Sequence, residues 1–150
     1  MIVDDEEMGT ISLKNLFRLS TDYHLLTYTD PKDALEAGKQ REVDLVISDY
    51  MMPSMDGLTF LRAFKDLQPH AIRLLLPGDS DKDSAVRAIN EVGLFQFIEK
   101  PWDNDFVRTV VRNGLEKRAL LRTVEEKIRE LASANSDLKS IQTALLKAFM

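Results

Sequence analysis

The stretch Leu45-Val46-Ile47-Ser48-Asp49-Tyr50-Met51-Met52-Pro53-Ser54-Met55-Asp56-Gly57 decides the fold. It opens with a compact apolar run set between Asp44 and Asp49, the form of a strand buried on both faces. Working outward, the same alternation of short apolar runs and amphipathic stretches recurs on both sides. Upstream, Met1 to Val3 is a stub of strand, followed by a helical stripe through Ile11, Leu13, Leu16, Phe17 and Leu19. His24 to Tyr28 reads as a second strand, and Asp30-Pro31 opens a helix carrying Ala34, Leu35 and Ala37 that closes at Gly38 or shortly after. Downstream, Leu58, Phe60, Leu61 and Phe64 form a helical stripe and Ile72 to Leu76 a strand. Asp81 begins a helix with Ala85, Val86 and Ile89 on one side, Gly93 punctuates, and Phe95 to Ile98 supplies a fifth strand. Five β–α repeats of this length predict an α/β fold, a parallel sheet covered on both faces by right-handed crossovers.

Composition narrows the chemistry. The 150 residues hold 20 Lys+Arg against 25 Asp+Glu, a net charge of −5, with 44% hydrophobic residues and no cysteine. Without cysteine there is no disulfide, thiolate zinc site, iron–sulfur cluster or cysteine nucleophile. His24 and His70 alone do not make a histidine-rich metal site. Carboxylates, hydroxyls and lysines remain, which suit Mg²⁺ and phosphoryl groups. No run approaches the roughly 18 apolar residues needed to cross a membrane. The start, Met1-Ile2-Val3-Asp4-Asp5-Glu6-Glu7, lacks the basic and apolar regions of a secretory signal, so a cytoplasmic protein is expected. Acidity argues against a nucleic-acid groove.

In an open parallel sheet, ligands bind at the carboxyl ends of the strands. Here those ends carry Asp4 and Asp5 after strand one, Asp49 after strand three, Pro77-Gly78 after strand four and Lys100-Pro101 after strand five. Acidic residues after strands are often helix caps, and any one of them could be only that. Three carboxylates and a lysine on one rim call for a divalent cation held by oxygen ligands.

With these motifs in place, residues 1 to about 120 resemble the receiver domains of two-component response regulators. The resemblance rests on Asp4-Asp5, the segment Asp49 to Gly57, and Lys100-Pro101-Trp102, in that order and at family-like spacing. It implies a flavodoxin-like (βα)5 doubly wound sheet of strand order 2-1-3-4-5. It also implies that Asp49 accepts a phosphoryl group from a sensor histidine kinase or phosphotransfer protein. Asp4, Asp5, Asp49 and the backbone carbonyl of Met51 would hold Mg²⁺, and Lys100 would stabilise the phosphoryl group, with a Lys-Pro bond that in the family is typically cis. Phe97 stands where the family carries an aromatic that changes rotamer on phosphorylation, though it equally suits an ordinary strand aromatic. Asp56 reads as a helix cap and Gly57 as the residue allowing the tight turn before it. Trp102 and Phe106 read as packing residues.

Two departures from the family pattern stand out. Receivers place Ser or Thr after strand four, where this chain has Pro77, which has neither hydroxyl nor N–H. Gly78 beside it keeps room for a phosphoryl group, so Asp49 is expected to be phosphorylated with weakened coupling to Phe97. Family members also carry several more apolar residues ahead of the acidic pair, so the first strand is expected to be short.

A receiver needs about 120 residues, and residues 121–150 carry a different pattern. From Gly114 to Met150 there is no further Pro or Gly, and a heptad runs through Leu121, Val124, Ile128, Leu131, Asn135, Leu138, Gln142, Leu145 and Phe149. Leu at most d positions and Asn at an interior a position predict helix five extended into a parallel coiled-coil homodimer. The expected organisation is a receiver over 1–120 and a coiled-coil linker over 121–150 leading to an output module absent from these residues. The stretch from Ile89 to Trp102 looks most like receivers joined to cyclic-di-GMP phosphodiesterase, phosphatase or AAA+ activator domains. A signalling phosphoacceptor is therefore expected rather than an enzyme. The competing reading is a pseudo-receiver scaffold in which Pro77 marks lost switching. An aspartyl-phosphate phosphatase would need a cap or further acid that the chain does not display.

The charge is unevenly shared. Residues 1–101 hold 11 Lys+Arg and 18 Asp+Glu, whereas residues 102–150 hold 9 and 7. The acidity belongs to the sheet-forming region that carries Asp4, Asp5 and Asp49.

Overall fold

The computed structural model describes residues 1–149, with side chains to residue 148. Five parallel strands form one sheet: β1 (Ile2–Val3), β2 (Thr27–Tyr28), β3 (Leu45–Asp49), β4 (Ile72–Leu76) and β5 (Gln96–Phe97), in the order β2-β1-β3-β4-β5. The helices are α1 (Glu7–Arg18), α2 (Pro31–Gln40), α3 (Gly57–Leu67), α4 (Lys82–Glu91) and α5 (Asn104–Phe149). The chain divides into a first unit, Met1–Arg118, and a second that begins at Ala119.

Alternation along the strands builds two cores. Val46 of β3 and Leu75 of β4 face one side, packing with Ala34 of α2, Phe60 and Phe64 of α3, and Ala85 and Ala88 of α4. Ile47, Ile72, Leu74 and Leu76 face the other, with Leu13, Leu16 and Phe17 of α1 and Val107, Val110 and Val111 of α5. Both faces are covered, which is why β3 and β4 read as continuous apolar runs. β1 pairs with β2 on one side (Ile2 opposite Thr27) and β3 on the other (Ile2 opposite Ile47). The crossovers therefore reverse direction at β1 and β3, and the crevice for a ligand lies at their carboxyl ends.

Four local expectations are corrected. β2 and β5 are regular strand over only Thr27–Tyr28 and Gln96–Phe97, shorter than His24 to Tyr28 and Phe95 to Ile98, although the N–H groups of Phe95 and Ile98 still bond to the Arg73 and Leu75 carbonyls of β4. A 3₁₀ turn, Asp79–Asp81, occupies the expected helix start, and α4 begins at Lys82 with Asp81 as its N-cap residue, whose side chain makes no capping bond. Phe106 is 45% exposed rather than packed, whereas Trp102 is half-buried against the second core. Asp56 does cap α3, accepting from the Thr59 N–H at 2.7 Å. Gly57 serves α3 differently from the expected turn. Its φ is not positive, but a Cβ there would overlap the Asp49 carbonyl oxygen and press on Leu75.

Arg73 of β4 was not singled out by the sequence pattern. Its guanidinium is buried and donates to the carbonyls of Pro69 (3.1 Å), Ala71 (3.0 Å) and Gly93 (3.1 Å). Gly93 itself sits at φ +72, in the left-handed region that glycine adopts freely.

Candidate functional site: an acidic cluster at the switch point

Asp4 follows β1 directly, Asp49 ends β3, and Lys100 follows β5 by three residues, so three strands aim these groups at one crevice. Asp4 is only 2% exposed, and its Oδ1 accepts the Glu6 N–H at 3.0 Å. Asp49 is also buried; its Oδ1 accepts the Lys100 Nζ at 2.7 Å and the Tyr50 N–H at 2.9 Å. Asp4, Asp5 and Asp49 each offer a carboxylate oxygen within 4.8 Å of the others, with Asp5 the most open of the three. The Lys100–Pro101 bond is cis.

The electrostatics follow from burial and charge. Burial pushes the Asp4 carboxyl up to about 6, with the neighbouring Asp49 and Asp5 charges adding to the rise and the Glu6 N–H and Lys100 opposing it. Burial by itself would lower Lys100, but its hydrogen bond and charge contact with Asp49, helped by Asp4 and Glu6, hold it above the ordinary lysine value. Three carboxylates facing one lysine leave net negative charge in a confined space. Hard oxygen donors at this spacing fit a divalent cation such as Mg²⁺.

The Asp4 shift carries a pH dependence. A carboxyl whose folded pKa is raised binds its proton more tightly in the native state, so its contribution favours folding at low pH and is lost as pH rises from about 4 to about 6. A dication binding the ionised cluster offsets that loss. Mg²⁺ is therefore expected to raise the thermal midpoint more at pH 7 than at pH 5, read by circular dichroism against EDTA. An equal gain at both values would contradict the cluster as the site of the effect.

The remaining expected residues fall around this centre. Pro77 is buried, and its carbonyl accepts the Lys100 N–H at 3.1 Å, so the proline's missing donor leaves this rung of the β4–β5 pairing intact. Gly78 has open space, the nearest atom to an added Cβ being Asp81 Oδ2 at 3.6 Å. Phe97 is half-buried and packs against the core formed with α2, α3 and α4. The Met51 side chain is 66% exposed and points away from any packing role. Leu121 is half-buried and Asn135 exposed, while Val124, Ile128, Leu131, Leu138 and Leu145 are between 45% and 70% exposed along α5. The side chain of Phe149, the last position of the heptad, lies outside the described residues.

One site residue escaped the sequence reading. A Cβ on Gly9 of α1 would overlap the Asp4 carboxylate, so this glycine is what lets the acid lie against the helix. Its signal was available only as a glycine inside a helical stripe, a position that usually costs stability and so invites a packing reason. Gly9→Ala is expected to displace Asp4 and weaken Mg²⁺ binding about tenfold while the fold persists, because a carboxylate can rotate where backbone cannot. Titration calorimetry on the variant checks this.

Fold and cluster together define a doubly wound α/β module with an acidic, cation-ready pocket at its switch point. The model of the response regulator receiver domain matches residues 1–112. The chain belongs to this family of receiver domains of two-component response regulators. It is 28% identical over 120 residues to the hydrogenase transcriptional regulatory protein HoxA of Cupriavidus necator, covering 80% of this chain and 24% of HoxA. It is 30% identical over 145 residues to the cyclic di-GMP phosphodiesterase response regulator RpfG of Xanthomonas campestris, covering 90% of this chain and 38% of RpfG. Among solved structures, the signal receiver domain of an HD domain-containing protein from Pseudomonas fluorescens superposes with a TM-score of 0.76 at 35% identity, covering 81% of this chain and 89% of that one. The chain spans about a quarter of the length of the HoxA proteins it matches. No helix among the described residues is long and apolar enough to cross a membrane.

Proposed function

We propose that Asp49 is the phosphoacceptor of this receiver, taking a phosphoryl group from a sensor histidine kinase or phosphotransfer protein. The observation that carries the reading is the 2.7 Å contact of Lys100 Nζ with Asp49 Oδ1, made inside the Asp4–Asp5–Asp49 cluster. A carboxylate oxygen of Asp49 attacks phosphorus, the bond from phosphorus to the donor imidazole nitrogen breaks, and that nitrogen leaves with the bonding pair. Lys100 neutralises charge on Asp49 as the phosphoryl oxygens arrive and keeps the acceptor pointed at the crevice. Gly78 leaves space for the incoming group. Asp4, Asp5, Asp49 and the Met51 carbonyl would hold Mg²⁺, which when bound supplies positive charge opposite the transferring oxygens.

Pro77 cannot offer a hydroxyl to the phosphoryl group, so coupling to Phe97 is weakened while phosphorylation persists. The intact acid–lysine constellation favours this over a scaffold without phosphate chemistry. The protein acts in the cytoplasm as a signalling phosphoacceptor rather than a turnover enzyme. Residues 121–150 form the linker to an output module and pair with a second copy of the chain as a parallel coiled coil, and this segment makes no nucleic-acid contact. The stripe of Val124, Ile128, Leu131, Leu138 and Leu145 is between 45% and 70% exposed, apolar surface that a second helix would remove from water, which supports the pairing.

The test is phosphate-affinity electrophoresis after acetyl phosphate and Mg²⁺. The wild type is expected to shift and Asp49→Ala to give no shift. A wild type that does not shift, or a variant that does, overturns the assignment.

A further inference from the structure

The stalk carries more apolar surface than one coiled-coil seam uses. Beside the heptad residues, Ile141 is 56% exposed and Leu146 is 64% exposed. Up to Leu131 only one seam is available. Leu121, Val124, Ile128 and Leu131 are all apolar, whereas stepping each a position back by one residue replaces Leu121 with the equally apolar, 64% exposed Leu120 but Ile128 with the charged Lys127.

Beyond Leu131 the sequence changes character. Leu131, Leu138 and Leu145 are common to two seams, whose intervening positions are either Asn135 and Gln142 or Ala134 and Ile141. At about 100° per residue, the second seam is centred about 50° further round the helix than the first. The two are opposed by different costs. The Asn135 seam continues the heptad without a break but buries two amides. The Ala134 seam is apolar throughout but needs two successive three-residue steps, Ile128 to Leu131 to Ala134, which overwind the pair locally.

The surface suits a second copy of this helix. Its seam repeats over four heptads, a pitch that another such helix matches, and Asn135 meets its own equivalent only in a parallel, in-register pair. Residues 119–148 hold 5 Lys+Arg and 4 Asp+Glu, so self-association meets little repulsion.

We propose that the stalk pairs with a second copy in two registers, related by rotation of each helix about its axis beyond Leu131. This rests on the parallel dimer proposed above. The segment is a rotary two-state element: the register upstream of Leu131 is fixed, and the one downstream has two settings.

The absence of native cysteine allows a clean test on the full chain by single-cysteine oxidation. Disulfides form where Cβ atoms of the two copies come within about 4.5 Å, which seam positions satisfy and flanking positions do not. Val124→Cys is expected to cross-link at least about fivefold more than Lys127→Cys. Ala134→Cys and Asn135→Cys are expected to cross-link within about threefold of each other, as are Ile141→Cys and Gln142→Cys. Adding Asn135→Leu and Gln142→Leu is expected to favour the continuous seam and lower Ile141→Cys cross-linking about fivefold. Cross-links confined to 135 and 142, or to 134 and 141, would overturn the two-register proposal and leave the dimer standing. Failure of Val124→Cys to cross-link would overturn both.

Discussion

Lys100→Ala is expected to slow phosphorylation by acetyl phosphate about 100-fold, the scale of removing one preorganised electrostatic contact from a reacting group. Lys100 Nζ lies 2.7 Å from Asp49 Oδ1, and its pKa is held above the ordinary value, so it is charged throughout the physiological range. Its removal takes away the cation that faces the three carboxylates while a further anion approaches. Stability should change little by comparison, because the side chain is about one-third exposed and its contact is Asp49, the proposed acceptor. Lys100→Arg is not an equivalent repair, since a planar guanidinium does not reproduce a compact ammonium. The check is a time course of phosphate-affinity electrophoresis for both variants beside thermal midpoints. A Lys100→Ala rate within about threefold of wild type would contradict the electrostatic role assigned to the lysine.

Gly57→Ala is expected to destabilise the first unit by about 3 kcal/mol, the upper part of the usual range for overpacking a buried site. The added methyl would meet the Asp49 carbonyl oxygen, and that atom is backbone at the end of β3 and cannot turn aside. Relief would require α3 to back away from the sheet, at a cost to Phe60 and Phe64, which are both fully buried. The Gly57 N–H also donates to the Tyr50 carbonyl at 2.7 Å, so movement strains that turn as well. Gly78→Ala is the natural comparison, because its Cβ would make only an ordinary contact. Urea denaturation should separate the two clearly, with Gly78→Ala within about 0.5 kcal/mol of wild type. Similar midpoints for both would show that β3 and α3 have slack this packing does not suggest.

The contrast between these glycines shows where the sequence was legible. Strand existence, sheet order and the residues at the strand ends followed from apolar periodicity and a family resemblance, because parallel sheets buried on both faces leave a strong pattern. Asp56 was readable as a cap, and Asp30 as the opening of a helix, for a different reason: their chemistry is local. Gly57 was noticed with the wrong cause, and Gly9 was missed, because both answer to atoms of other elements. Arg73 was invisible in the same way. A cation within an apolar strand is explained only by the three carbonyls that the fold brings to it. That Lys100 and Asp49, 51 positions apart in the chain, share one rim followed from their places at strand ends, and the role of the lysine toward the acceptor followed from the resemblance.

Arg73 carries a further consequence for local opening. β5 is an edge strand of two residues, and such a strand should fray first and take Lys100 with it. The Phe95 N–H donates to the Arg73 carbonyl, while the Arg73 guanidinium holds the Gly93 carbonyl, so one residue grips both sides of the turn that leads into β5. Amide exchange at Phe95 is then governed by opening of β4 rather than by fraying of the edge. The lysine of the site hangs from a strand whose protection against exchange is borrowed from its buried neighbour.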